Sequence, residues 1–156
     1  MSSSKLDEFL RTKSNQQAPE PIDWNAKKMS WEFALNELYT HLESFLGNLI
    51  SEGVLKLSRR PVTVQEDYIG SYQVEQLVLS VGQEQVVFAP KGVTVIGAKG
   101  RVDVLGQAST RTLLWVKGNG SSPSDWSFIV TRSPKLKLAD FSQESLLDVL
   151  KDTMTQ

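Results

Sequence analysis

The clearest hydrophobic pattern in the chain is a stripe of apolar residues that recurs with a helical period. Its members follow one another at spacings of four, three, four, three and four: Trp31, Leu35, Leu38, Leu42, Phe45 and Leu49. Further apolar residues widen the stripe: Tyr39, Leu46 and Ile50. The pattern predicts a long amphipathic helix that packs on a sheet. Ser30 is the predicted N-cap, with an alternative start near Asp23, and Gly53 is the predicted stop.

Between residues 54 and 132 the pattern changes to short runs rich in β-branched and aromatic residues, separated by turn-forming residues. The predicted strands are Val54–Leu57, Val62–Glu66, Tyr72–Val81, Gln85–Ala89, Val93–Ile96, Arg101–Leu105, Thr112–Lys117 and Trp126–Thr131. Their connections are too short for crossover helices, so an antiparallel meander is expected. Because neighbouring runs can merge, we expect about five to seven strands in the sheet.

A second helical pattern closes the chain. Ser142 is its predicted N-cap, and Phe141 and Leu146 have the spacing of a hydrophobic staple. The resulting order predicts an α+β fold of two layers, in which a long N-terminal amphipathic helix and a short C-terminal helix pack on an antiparallel β-meander.

The chain is predicted to have one domain, residues 23–156, preceded by a flexible tail, residues 1–22. The tail is rich in Ser, Gln and Pro. Leu6, Phe9 and Leu10 have the spacing for one turn of apolar helix, which is too short to be stable alone. The tail has no apolar run typical of a signal peptide, and no stretch of the chain approaches the roughly 18 apolar residues of a membrane span. We therefore expect a cytoplasmic protein that does not bind membranes.

The composition excludes several kinds of chemical site but does not indicate a partner. The chain has 156 residues, a net charge of −1 and no cysteine, which excludes disulfides and cysteine nucleophiles. Residues 53–139 carry 11 basic and 6 acidic groups, a net charge of +5, whereas the segments before and after are both acidic. His41 is the single histidine, and it lies beside the apolar stripe of the long helix. We predict no catalytic residues, no metal site and no cofactor.

The segment from Val87 to Val104 is the most distinctive part of the sequence. Its glycines alternate with Lys91, Lys99 and Arg101 in the run VFAPKGVTVIGAKGRVDV. Glycine lets a backbone approach a phosphate and basic side chains neutralise it, so an anion site is one interpretation. The run lacks the Gly-Lys-Ser/Thr ending of a P-loop. Tight turns with solvated charges are therefore the favoured interpretation. Arg101 and Asp103 are two apart on one predicted strand, which places both on the same face.

Tryptophan is frequent for a chain of this length, with four residues. Trp115 and Trp126 lie in predicted neighbouring strands and are expected to face each other. Trp24 lies outside the strongest period of the long helix; a place in the core or against the tail is its favoured interpretation, and if exposed it is the best candidate to anchor a partner. We therefore predict a non-enzymatic protein-interaction module of bacterial type, with a protein as partner and with homodimerisation compatible with the sequence.

Two alternatives to the interaction module stay open. An anion- or nucleic-acid-binding domain that uses the basic hairpin loops ranks second. An enzyme or small-ligand binder with a cleft between helix and sheet ranks third.

Overall fold

A computed structural model describes residues 2–17, 23–95 and 97–155. The helices are α1 (Ser2–Gln17), α2 (Trp24–Phe45), α3 (Gly47–Ser51) and α4 (Gln143–Thr153). The strands are β1 (Lys56–Glu66), β2 (Gly70–Val81), β3 (Glu84–Gly92), β4 (Gly100–Leu105), β5 (Thr110–Trp115), β6 (Trp126–Thr131) and β7 (Lys137–Asp140). A 3₁₀ turn, Pro123–Asp125, precedes β6.

The strands form one sheet of seven, in chain order, with every neighbouring pair antiparallel. This confirms the predicted α+β fold with an antiparallel meander. The first two predicted strands merge into β1, which passes through Pro61 without a register shift. Since β1 is at the edge of the sheet, the missing N–H of Pro61 costs no ladder hydrogen bond on its open side.

One predicted strand was wrong, and one strand of the sheet was not predicted. Val93, Thr94 and Val95 belong to the connection between β3 and β4, although their apolar run resembles a strand; Ile96, the end of the predicted strand, lies outside the described residues. The short strand β7 was not predicted, because its sequence, Lys-Leu-Ala-Asp, has too few apolar residues to show a pattern. It pairs with β6 and completes the sheet.

Helix α2 begins earlier than the predicted cap at Ser30. The Asp23 side chain accepts a hydrogen bond of 3.0 Å from the Ala26 backbone N–H and caps the helix, as the alternative start near Asp23 requires. The helix ends at Phe45, so the predicted stripe continues into the separate helix α3. Gly53 follows α3 with a positive φ of 75° and marks the end of the helical segment.

The centre of the core is a cluster of three tryptophans. Trp31 on α2 packs against Trp115 on β5 and Trp126 on β6, with ring centroids 6.1 and 6.2 Å away. Trp115 and Trp126 are direct cross-strand partners, as predicted, with centroids 6.3 Å apart. Gly100 on β4 faces the Trp31 ring, and a Cβ atom there would overlap it. The helix approaches the sheet this closely because β4 has no side chain at that position.

Helix α4 packs at the opposite end of the sheet from the start of α2. Ser142 caps it by accepting a hydrogen bond of 3.1 Å from the Ser145 N–H, and the predicted staple residues, Phe141 and Leu146, are both buried. Near its end, Asp152 makes a 3.1 Å ion pair with Arg111 on β5. These contacts confirm the predicted second helix.

Helix α1 is longer than the single turn predicted for the N-terminal tail. Its apolar residues Leu6, Phe9 and Leu10 are each more than half exposed, so they are not part of the core. Residues 18–22, the rest of the predicted tail, lie outside the described residues.

Candidate functional site

The three basic residues of the predicted anion site have different surroundings. Lys91 is exposed on β3. Lys99 donates from its ammonium to the Gly118 carbonyl at 2.6 Å and lies 5.0 Å above the Trp115 ring. Arg101 makes a 2.8 Å ion pair with Asp103, as the spacing of these two residues predicted. Lys99 and Arg101 therefore both have partners within the chain, and they share none of them.

The connection after β3 does bind an anion, but the anion is a carboxylate of the protein itself. The Glu66 side chain, at the end of β1, accepts hydrogen bonds from the backbone N–H groups of Val93 at 2.8 Å and Thr94 at 2.9 Å. The Tyr72 hydroxyl donates to the other carboxylate oxygen of Glu66. Gly92 lets the chain turn around this carboxylate with a φ of 130°. We call this arrangement of Glu66, Tyr72, Val93 and Thr94 the Glu66 clamp.

The tyrosine of the Glu66 clamp is held in its neutral form. Burial raises the pKa of the Tyr72 hydroxyl well above its ordinary value, and both the hydrogen bond to Glu66 and the negative charge of Glu66 raise it further. The Trp31 side chain acts on the Tyr72 pKa in the opposite direction, by a smaller amount. The clamp therefore combines a protonated hydroxyl with two backbone donors around one buried carboxylate.

A cavity of about 470 Å³ lies between the first turns of α2, the β3–β4 connection and the β5–β6 connection. Val93, Val95, Ala98 and Trp115 supply its apolar walls. Of the three basic residues of the predicted anion site, Lys99 lines this cavity. The favoured interpretation of the sequence placed Lys99 in a solvated turn. Its position near α2 depends on contacts between residues that are distant in the chain, and the local pattern does not contain them.

A second cavity, of about 410 Å³, lies between α2 and the β1–β2 hairpin. Arg59 crosses it, donating to Asn36 at 2.8 Å and to Glu43 at 3.0 Å, with its guanidinium 5.3 Å from the Tyr39 ring. Tyr39 in turn donates to the backbone carbonyl of Glu75 at 2.6 Å. Burial raises the pKa of Tyr39 well above its usual range, against the opposing effect of Arg59. These interactions tie β1 and β2 to the helix.

The predicted partner anchor, Trp24, forms a stacked pair with an aromatic residue that the sequence analysis did not single out. Tyr68, in the turn between β1 and β2, lies parallel to Trp24, with ring centroids 5.3 Å apart and planes 8° apart. The Lys27 ammonium lies 5.3 Å from the Trp24 ring centroid. Tyr68 is 80% exposed and has a positive φ of 73°, a conformation that is uncommon for any residue other than glycine. We call Trp24 and Tyr68 the aromatic pair.

His41 has a structural contact. Its Nε2 atom lies 2.9 Å from the Ser121 carbonyl oxygen, which joins α2 to the β5–β6 connection. Within the described ranges, no three or more His, Cys, Asp or Glu side chains come together in a way that could hold a metal ion. Nor does any described helix have both the length and the apolar character needed to cross a membrane.

Comparison with known proteins adds no likeness from which a function could be transferred. No protein-family model, no curated protein and no solved structure matches this chain.

Proposed function

We propose that this protein is a non-enzymatic protein-interaction module whose contact surface is centred on Trp24 and Tyr68. The observation that carries the proposal is the 80% exposure of Tyr68 on a turn whose backbone has a positive φ. Tyrosine and tryptophan are enriched among the residues that contribute most to protein–protein binding. An aromatic side chain in this backbone conformation costs the fold roughly 1 kcal/mol or more. A binding role accounts for that cost.

The geometry of the aromatic pair suits recognition of a protein. Stacking against Trp24 fixes the Tyr68 ring before a partner arrives, so little side-chain entropy is lost on binding. The Lys27 ammonium over the Trp24 ring adds a positive charge at the edge of the pair. We therefore expect the partner to present an apolar or aromatic group to Tyr68 and an acidic group to Lys27.

The anion-binding alternative receives less support from the same structure. Lys99 and Arg101 are engaged by Gly118 and Asp103, and the backbone donors of the β3–β4 connection are used by Glu66. A polyanion would have to displace Asp103 from Arg101 and Glu66 from the backbone donors, and only the Lys99 donors that Gly118 does not use would stay available to it. For this reason we rank nucleic-acid binding below protein binding.

Affinity capture with matched variants tests the proposal. Tyr68→Asn removes the ring but keeps a residue that tolerates positive φ, and Trp24→Ala removes the second ring. Met29→Asn is the control, since Met29 is an exposed apolar residue elsewhere on α2. We expect a partner captured by the wild type and by Met29→Asn to bind Tyr68→Asn about tenfold more weakly or worse, measured with the purified partner. Equal binding of that partner by Tyr68→Asn and the wild type would contradict the proposal.

A further inference from the structure

We propose that the cavity beside Lys99 is a binding site for a small organic anion with an apolar body. This inference goes beyond the proposed protein-interaction function, because it concerns a small-molecule ligand in a cavity that shares only Lys27 with the surface around the aromatic pair. The cavity is about 470 Å³, within the range of roughly 300–1,000 Å³ that is typical of small-molecule sites. It is bounded by three separate parts of the chain: the start of α2, the described residues of the β3–β4 connection, and the chain from the end of β5 into the β5–β6 connection.

The walls of the cavity favour an apolar ligand body. Val93, Val95 and Ala98 line one side, and Trp115 supplies an aromatic surface. Trp115 is itself nearly buried, and its indole N–H donates to the Lys117 carbonyl at 3.0 Å, so its ring orientation is fixed. The Trp115 ring stacks on Trp31 and lies below the Lys99 ammonium, so little of it is free to contact a ligand. An apolar ligand body therefore packs mainly against the aliphatic side chains and displaces water from them.

The polar groups of the cavity favour a negative charge on the ligand. Two lysines, Lys27 and Lys99, line it, together with Ser30 and Asn119. Among the described residues that line the cavity, none is Asp or Glu. The Lys99 ammonium donates one hydrogen bond, to Gly118, and an ammonium has three donors. Two N–H groups of Lys99 therefore stay available for a carboxylate or sulfonate, and no acidic residue in the lining competes for them.

Hydrogen bonds within the chain fix one wall of the cavity in the absence of a ligand. The Glu66 clamp fixes the backbone at Val93 and Thr94. The backbone N–H of Lys99 donates to the Trp115 carbonyl at 2.7 Å and fixes the other end of the β3–β4 connection. A wall that is held at both ends loses little conformational entropy when a ligand binds.

The experiment uses 1-naphthoate as the probe and 1-naphthalenemethanol, which has the same ring system without the charge, as its matched control. Both are titrated into the ¹⁵N-labelled full chain. We expect 1-naphthoate to cause saturable shifts of the Trp115 indole N–H signal and of the Val95, Ala98 and Asn119 amide signals. The neutral alcohol should bind about tenfold more weakly, since it lacks the charge-assisted hydrogen bond. The Trp24 indole signal, assigned with Trp24→Phe, should move less than that of Trp115, since the aromatic pair shares only Lys27 with the cavity.

Three variants test the assignment to named residues. Lys99→Met keeps the length of the side chain and should weaken 1-naphthoate binding about tenfold. Lys91→Met, at an exposed lysine outside the cavity, should leave binding unchanged. Ser30→Phe should fill the cavity and abolish binding, and a dispersed spectrum shows that each variant is folded. The proposal is overturned if 1-naphthoate gives no saturable shift, if the alcohol binds equally well, or if Lys99→Met and Lys91→Met behave alike.

Discussion

Glu66 and Gly92 lie so close together that residue 92 has no room for a side chain. A Cβ atom at this position would overlap the Glu66 carboxylate, which is held in place by three donors from Tyr72, Val93 and Thr94. Residue 92 also has a φ of 130°, a conformation that side chains other than that of glycine rarely adopt. The absence of a side chain at position 92 is therefore a condition for the Glu66 clamp.

Gly92→Ala should destabilise the protein by about 3 kcal/mol or more, because it adds both backbone strain and a collision with a buried carboxylate. Gly97→Ala is the matched control. Gly97 also has a positive φ, of 80°, but a Cβ atom there would meet nothing within 4 Å. We expect Gly97→Ala to cost only about 1 kcal/mol, from strain alone. Equal unfolding free energies of the two variants in urea would contradict this role for Glu66.

Two substitutions at Glu66 separate the effect of the side chain's hydrogen-bonding oxygen from that of its charge. Glu66→Gln keeps an oxygen for the Val93 and Thr94 N–H groups, so we expect a loss of about 1 kcal/mol. Glu66→Ala leaves all three donors without this acceptor and should cost about 2–4 kcal/mol, measured as the free energy of unfolding in urea. A Glu66→Ala variant as stable as Glu66→Gln would show that water replaces the carboxylate at no cost.

Leu42→Asp should unfold the domain. Leu42 is fully buried on α2, in the middle of the face that contacts the sheet. An unpaired charge at such a position costs several kcal/mol, roughly 4 or more. Ser44→Asp is the control, since Ser44 is exposed on the same helix, and its melting temperature should stay close to that of the wild type. Circular dichroism during heating measures both variants. A folded Leu42→Asp variant would show that this face of α2 does not pack on the sheet.

Alkaline pH should destabilise the protein through its buried tyrosines. The pKa values of Tyr39 and Tyr72 are raised in the folded state, mainly by burial, whereas an unfolded chain titrates near its usual value of about 10. Above pH ~10 the unfolded state releases tyrosine protons that the folded state retains. The contribution of these two tyrosines to the free energy of unfolding is therefore fully present below this pH and is lost as the pH rises.

Tyr39→Phe separates this effect from other alkaline titrations. At neutral pH it should lose about 1 kcal/mol, because the Glu75 carbonyl loses its donor. Its melting temperature should then fall less steeply between about pH 9 and 11 than that of the wild type. Parallel curves for the two proteins would exclude Tyr39 as a source of the alkaline loss.

Deletion of residues 1–21 should leave the melting temperature within about two degrees of the wild-type value. The apolar side chains of α1, Leu6, Phe9 and Leu10, are each more than half exposed and add little buried area to the domain. The deletion ends before Asp23, so the cap of α2 is kept. A large fall in melting temperature would mean that α1 packs against the domain or against a second copy of the chain.

Local patterns predicted most of the elements but not the sites. The period of the apolar residues predicted α2 because a helix that packs on a sheet must present one apolar face. The apolar run at Val93 was misread, because the carboxylate that captures its N–H group is 27 residues away in the sequence. Likewise, the sequence singled out Trp24 but not Tyr68, because folding alone brings the end of the β1–β2 hairpin to the start of α2. Sites of this kind depend on contacts that no short pattern contains.

The hydrogen bond from Tyr39 to the Glu75 carbonyl lies where β2 no longer pairs with β3. In the described part of the chain, β2 pairs with both neighbours from Leu77 to Ser80, but its residues 70–76 pair with β1 alone. Residues 70–76 of β2 therefore continue with β1 as a two-stranded hairpin beyond the paired part of β3. Side chains join this hairpin to the rest of the fold: Tyr39 of α2 donates to the Glu75 carbonyl, and Glu66 accepts from the β3–β4 connection. Its position thus depends on side-chain hydrogen bonds rather than on a backbone ladder with β3.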